Sequence, residues 1–513
     1  MGESFYLIWR NQYIRRMIRN IVCQGVVINV DKEYMCDNQQ YLSLFTNKEK
    51  LDYNISIRFK GDTIDYLDIN NNRDMINVVD LKIKADFNFN EIHDGVHTLL
   101  LKLANGKRTA GMGQLPDSIT KLTFFAMPPR TGAPPIVQHL ISNLPCKLQE
   151  LSFTYIDDCI HSRCVLPQSL TDLHYAGLCD SMKWLVVPPN KLYKRCDLEL
   201  DSYESFQWLL ENKFIGKIRI GPGAIPVLKS HPLPSHVTDV NLEYGVPEPD
   251  LLLPHTVERL YCSNSGTPFS HITQLKLLNI YDEYSIKLEK GVLPRSLESL
   301  FIRNNQPLEA DVLPPTLTSL YMYRFNQPLC INVLPLSLTD LYLGAFNQPL
   351  NAFVLPSKLK KLNLRGFEQP TFFANSLPVS LTRLYLDAFK GSFDQCQPLD
   401  NLKRLRIDSL VPSVAGIVTN VKKLDLEVDT EISDPSGTCL ANTSIESLYL
   451  SVKLKSTLYP NSLPPTIKYL SLVNVVIESD NVIPSSCRYL KSRNSKIDPI
   501  SIPKSARYLK SIQ

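Results

Sequence analysis

At 513 residues the chain is too long for one compact hydrophobic core, so several domains or an open-ended repeat array is expected. Hydrophobic residues at 44% and charged residues at 21% form an ordinary globular balance that excludes wholesale disorder. A formal net charge of +4 gives no whole-chain sign of a nucleic-acid binder or a membrane-surface polycation, and 36 prolines against 20 glycines point to one fixed turn used repeatedly.

Residues 5 to 22 read as an amphipathic helix. Ile14, Met17, Ile18, Ile21 and Val22 share one face, with Gln12, Arg15, Arg16 and Arg19 opposite. The same arginines and Arg10 interrupt any apolar run suited to an export signal, and no run of about eighteen apolar residues follows elsewhere. The expectation is a soluble cytoplasmic protein whose 12 cysteines are reduced thiols. Residues 1–60 are expected to form a helical segment that caps the first open edge of the array. A docking helix for another protein is the functional alternative, and a basic amphipathic membrane anchor a third reading.

An L-x-x-L-x-L strand signature begins at Ile64-x-x-Leu67-x-Ile69 and recurs at Val78-x-x-Leu81-x-Ile83 and Val96-x-x-Leu99-x-Leu101. Ile215-x-x-Ile218-x-Ile220 and Ile272-x-x-Leu275-x-Leu277 fill later gaps. From Leu115 a Leu-Pro step precedes many copies: LPDSITKLTF, then LPCKLQELSF from Leu144, LPQSLTDLHY from Leu166, LPSHVTDVNL from Leu233 and LPHTVERLYC from Leu253. The clearest run is LPRSLESLFI from Leu293, LPPTLTSLYM from Leu313, LPLSLTDLYL from Leu334, LPSKLKKLNL from Leu355 and LPVSLTRLYL from Leu377. Degenerate copies start at Leu402, Val421 and Ile445, and LPPTIKYLSL returns at Leu463. A period of about 20–22 residues is that of leucine-rich repeats.

The last two apolar residues of each unit are two apart, so they point to one side of a strand while the residue between them points to the other. Proline fixes φ and cannot donate to a ladder, so the Leu-Pro step belongs just before strand pairing. About 20 residues leave room for a short strand and an extended return, but scarcely for a full helix. The expected fold is a β-rich α/β solenoid with a parallel sheet on a concave face, a loop-like convex side and a short N-terminal helical cap. The array would fill residues 61–513, with its best-defined repeats at 293–390.

Between strands a second motif recurs as FNQPL at Phe325–Leu329 and Phe346–Leu350, with variants NNQPL from Asn304 and FEQP from Phe367. A phenylalanine in register would plug the space beneath each return, and Asn326 and Asn347 would bond backbone groups that have no strand partner. In pairing this element with the L-P-x-S-L-x-x-L-x-L strand, the chain resembles the FNIP-repeat family. The match is close from Leu293 to Leu386 and looser from Leu115 to Val292 and from Ala388 onward. The resemblance implies a leucine-rich-repeat-like solenoid with an interaction role, and it brings no catalytic residues. FNIP-repeat proteins often carry an F-x-L-I-W-R-N stretch near the N-terminus, like Phe5–Asn11. In some relatives an F-box precedes the repeats and recruits a ubiquitin ligase, which implies an alternative role as a substrate-recognition adaptor; the F-box's opening Leu-Pro is absent here.

Sites for chemistry are sparse. His93 and His97 have metal-helix spacing, but Gly95 lies between them and the catalytic Glu of H-E-x-x-H is missing, so a turn entering a strand is expected. Cys159, His161, Cys164 and Cys179 form a C-x-H-x-x-C…C cluster that could hold zinc, with functionless thiols as the default. Gly106-Lys107-Arg108 lacks the rest of a phosphate-binding loop. The insertion AMPPRTGAPPIVQHL after Phe125 is apolar rather than catalytic. No enzyme, metal or other cofactor is expected.

The exposed strand positions are the better place for function. One column reads Phe301, Tyr321, Tyr342, Asn363, Tyr385, Arg406, Asp425, Tyr449; beside it runs Ser299, Ser319, Asp340, Lys361, Arg383, Arg404, Lys423. Arg365, Asp387, Asp408 and Glu427 stand on the other side. The aromatics read equally as a self-stacking ladder and as a binding strip, and the four consecutive cations as a self-neutralising or a recognition surface. Phe301, Tyr321, Tyr342, Tyr385, Arg383, Arg404 and Arg406 are the expected contacts for a protein partner. The acidic column would repel nucleic-acid phosphates.

Overall fold

The computed structural model describes residues 11–103, 109–131, 135–242, 253–263, 269–281, 287–430, 432 and 440–511. The chain divides into two compact units, Met1–Glu243 and Tyr244–Gln513. Each is a β-rich solenoid of leucine-rich-repeat type, in which successive strands pair in parallel with the next in sequence.

In the first unit the sheet runs from Val27–Val30 through Ser56–Asp62, Val78–Ile83, Thr98–Leu103, Lys121–Thr131, Glu150–Asp157, Asp172–Leu178, Tyr193–Leu200 and Ile215–Ile220 to Asp239–Asn241. Two strands of this sheet therefore begin inside residues 1–60, the stretch expected to be a helical cap. Ile64–Ile69 is not a strand: Thr63–Asp68 is a helix, because Asp62 caps it and Asp65 closes a capping box. Several returns are helical where loops were expected, as at Pro135–Ile141 and Tyr203–Glu211. The insertion after Phe125 is used for packing, since Ile136, Val137, Leu140 and Ile141 are all buried.

The N-terminal helix is observed at Gln12–Val22, and Phe5–Trp9 lie outside the described residues. Its orientation reverses what a hydrophobic cap would do. Asn20 is buried and donates to Glu49, which also receives Arg16 and Arg19. Met17, Ile18, Ile21 and Val22 are exposed. Burial alone would raise the Glu49 carboxyl, but hydrogen bonds from Arg16, Asn20 and Thr46 outweigh it and hold the group well below the usual carboxylate range.

In the second unit the strands run from Arg259–Cys262 and Leu277–Ile280 through Ser299–Ile302, Ser319–Met322, Asp340–Leu343, Lys361–Asn363, Arg383–Leu386 and Arg404–Ile407 to Lys423–Val428, Ser447–Thr457, Tyr469–Ile477, Tyr489–Arg493 and Arg507–Ser511. The frame expected at Ile272 is off by three residues. Leu278 pairs with Leu260 and Leu300, so the unit is Leu275-x-x-Leu278-x-Ile280, all three buried.

The turn chemistry is local and repeated. After each Leu-Pro the apolar residue three positions beyond the proline donates its N–H to the proline carbonyl, as from Leu317 to Pro314 and from Leu338 to Pro335, closing a β-turn that aims the chain into its strand. The Ser or Thr one residue before that leucine staples the repeat to its neighbour. Thr316, Ser337 and Ser380 each donate a hydroxyl to the matching leucine carbonyl one repeat earlier. Beneath the returns, Phe325, Phe346 and Phe367 are fully buried and stack with centroids 6.2 Å apart and planes 3° from parallel. Asn305, Asn326 and Asn347 form a second ladder, their side-chain oxygens accepting the backbone N–H of Asn326, Asn347 and Glu368. These amides satisfy donors that no strand reaches.

Two residues before the Leu-Pro steps from Leu293 onward the backbone turns left-handed, at Gly291, Asp311, Asn332, Phe353, Asn375 and Asn461. Gly, Asn and Asp tolerate this region; a phenylalanine at φ 59° does not, and Phe353 is 70% exposed, so packing scarcely compensates it. Phe353→Asn should therefore stabilise the second unit by about 1 kcal/mol. A urea midpoint that stays put or falls would contradict this account of the turn.

Candidate partner-binding face

In each strand of the second unit the apolar pair faces the core and the intervening positions face outward, so Leu320 and Met322 are buried while Ser319 and Tyr321 are half-exposed. Sheet register then lines up Asn279, Phe301, Tyr321, Tyr342, Asn363, Tyr385 and Arg406 as one outward column. The next neighbour is Glu427, not Asp425. Leu384 and Leu405 are 21 residues apart, but Leu405 and Leu424 only 19. The short helix Val414–Val418 replaces the FNQPL return there, and the sheet pairs Leu405 with Leu426.

This shift corrects the charge columns. Asp425 stands beside Arg404, and Lys423 leaves the row to pair with Ser447. The four expected cations become three, Lys361, Arg383 and Arg404, with Asp340 and Asp425 at the two ends. Lys361 Nζ donates to Asp340 at 2.9 Å, and Arg404 reaches Asp425 at 3.4 Å. Arg383, in the middle, has no ion pair or side-chain hydrogen bond among the described residues.

The aromatic positions are brought together as expected. Phe301 and Tyr321 stack at 4.5 Å, and Tyr321 and Tyr342 at 5.8 Å. The Tyr321 hydroxyl donates to Asp340 at 2.7 Å and accepts from Lys361 at 3.2 Å; burial first, and the bond to Asp340 second, raise its pKa above the ordinary value. Arg406 is held by both carboxylate oxygens of Asp429 at 3.0 Å and lies 3.1 Å from Asp387. A hydrogen bond to Tyr385 is the main reason the Arg404 guanidinium is raised. Much of this face is therefore self-satisfied, and Arg383 stands apart.

Farther along the same face, Tyr469 and Tyr489 stack at 5.0 Å with planes 2° from parallel, 52% and 47% exposed. Neither is among the contacts expected from the sequence, although IKYLSL, CRYLKS and ARYLKS repeat a basic residue, Tyr and Leu. The unit of Tyr469 is legible from its Leu-Pro at Leu463, whereas Ile-Pro at Ile483 in place of Leu-Pro, and Ser492 in place of the second apolar residue, hide the unit of Tyr489.

The other expected sites resolve into structure. His93 bonds Tyr66 and the Ile76 carbonyl, and His97 bonds the Ser118 carbonyl, at the turn into Thr98–Leu103. Cys159 and Cys164 are buried and His161 is exposed; burial pushes the Cys164 thiol up to about 12. Among the described residues no three His, Cys, Asp or Glu side chains assemble a metal site. Gly106-Lys107-Arg108 lie outside the described residues. No described helix is long and apolar enough to cross a membrane.

The FNIP Repeat family model matches residues 304–345 and 325–367. Among solved structures the chain is similar to the circular leucine-rich-repeat protein CroV588, with 22% identity and TM-score 0.42 over 88% of this chain and 68% of that one. It is also similar to YopM from Yersinia enterocolitica WA-314, with 16% identity and TM-score 0.32 over 81% and 87%. A third similarity is to TLR13 in its ssRNA13 complex, with 13% identity and TM-score 0.38 over 87% and 72%. No curated protein matches the chain. Residues 304–367 are FNIP repeats, set in an array of leucine-rich-repeat type.

Proposed function

We propose that the chain is a non-catalytic scaffold that binds a protein partner on the outward sheet face of its second unit, the face expected to be concave. One observation carries the reading: Phe301, Tyr321 and Tyr342 form a continuous, half-exposed aromatic strip that leads across Asn363 to Tyr385 and Arg383. Tyrosine and arginine dominate binding hot spots, and rings already stacked lose little entropy when a partner covers them. Acids and bases share the face, with Asp340 and Asp425 at the ends of the run Lys361, Arg383 and Arg404, which suits a polar protein segment and disfavours phosphate backbone.

Crosslinking and affinity capture with the whole protein test this. Tyr342→Ala with Tyr385→Ala should weaken the captured partner by about tenfold or more, while the melting temperature moves by only a few degrees. Capture that survives the double substitution would remove these residues from the interface.

A second reading, a ligase adaptor acting through the N-terminal segment, draws support from the outward apolar residues of Gln12–Val22. Deleting residues 1–60 would also remove one strand and most of a second, so the cleaner test is Met17→Ser with Ile21→Ser. Loss of ligase components with other partners retained favours the adaptor; unchanged capture of all partners opposes it.

A further inference from the structure

We infer that the occupant of this face is an extended acidic peptide segment that places a carboxylate on Arg383 and, about six residues away, an aromatic side chain between the tyrosines near the C-terminal end of the sheet. The inference rests on the scaffold reading and names the partner's chemistry. Its first support is charge complementarity. Arg383 is flanked by Lys361 and Arg404, each of which already holds an aspartate, whereas Arg383 holds none among the described residues. Like charges side by side on neighbouring strands repel one another, so the cation is costly where it stands. A carboxylate arriving from a partner would relieve that cost and form a charge-assisted hydrogen bond.

The second support is a slot farther along the sheet. On two neighbouring strands the small Ser447 and Ser471 alternate with Tyr449 and Tyr469, and the Tyr469–Tyr489 stack and Lys491 complete its lining. Its volume of about 240 Å³ exceeds the roughly 150 Å³ that holds a benzene ring. Ring-on-ring contact with a partner side chain fits this geometry. Asp425 also borders the slot but is engaged by Arg404, so Lys423 and Lys491 keep the surroundings cationic.

Distance joins the two. From the Arg383 strand, the sheet passes through those of Arg404, Lys423 and Ser447 to that of Tyr469. At about 4.8 Å per step the separation is about 19 Å, which an extended peptide at about 3.3 Å per residue spans in about six residues.

The test is selection of a random dodecapeptide display library on the immobilised whole protein, followed by binding of the leading peptide in synthetic form. Enriched peptides should carry Asp or Glu about six residues from Phe, Tyr or Trp. Arg383→Glu should weaken the leading peptide by about tenfold or more, since it replaces attraction by repulsion. The same substitution should leave the melting temperature unchanged or raise it, because it breaks the run of three cations; a merely structural arginine would do the reverse. Tyr469→Ser with Tyr489→Ser should cost a similar factor. No enrichment, acid-free peptides, or binding indifferent to Arg383→Glu overturns the inference. A leading peptide lost with Tyr342→Ala and Tyr385→Ala, but kept with Arg383→Glu, leaves the scaffold reading standing and removes only this one.

Discussion

Phe346→Ala should destabilise the second unit by about 3–5 kcal/mol. Phe346 is fully buried between Phe325 and Phe367, and removing its ring opens a cavity that strips both neighbours of a stacking face. The cost is not confined to one repeat, because each unit of a solenoid is stable only through the interfaces to its neighbours. Urea unfolding should therefore broaden as well as move to lower midpoint, the repeats on either side of Phe346 losing their coupling. Phe301→Ala is the informative comparison. Phe301 also stacks, at 4.5 Å on Tyr321, but on the outward face, where a cross-strand aromatic pair contributes only about 0.2–1 kcal/mol. If the two substitutions cost the same, the buried stack is not what holds the returns together.

The difference between these two ladders also explains what the sequence disclosed. The Leu-Pro turn, the paired leucines and the Phe-Asn-Gln-Pro-Leu return act through neighbours a few residues away or one period away, and all three are found in place around Leu313–Leu350. Ile64-x-x-Leu67-x-Ile69 shows where spacing fails: the same apolar pattern serves a helix once Asp62 and Asp65 cap it, and Ile64 then points outward, 68% exposed. The charged face was legible as residue types but not as pairs. Register after Arg404 depends on a return two residues shorter than its predecessors, and a two-residue slip keeps every side chain on its own face while changing every partner. Apolar periodicity is blind to such a slip. Only with Asp425 beside Arg404 does Arg383 emerge as the one cation of its row without a carboxylate among the described residues.

Lys50→Met should change the pH dependence of the first unit by about 2–3 kcal/mol between pH 7 and 11. Lys50 is 1% exposed, and its ammonium donates to the carbonyls of Met75 at 2.9 Å and Asp74 at 3.3 Å without a paired carboxylate among the described residues. Burial pulls its pKa down to about 8. In the unfolded chain the group titrates near 10.4, so below about pH 8 both states are protonated and the folded one bears a constant penalty. Between about 8 and 10.4 the unfolded state binds more protons, and this contribution to stability rises with pH until the penalty is gone. Other groups work in the opposite direction. The buried Cys164 and Tyr66 keep their protons in the fold well above the pH at which they ionise when unfolded, so their contributions fall as pH rises. Wild type alone would mix these trends, whereas the difference between wild type and Lys50→Met isolates the lysine, since the thiols and tyrosines are common to both. Methionine fills a similar volume without the charge, so the variant should gain most over wild type near pH 7 and least near pH 11. A difference that stays flat across that range would mean the ammonium is solvated in the fold.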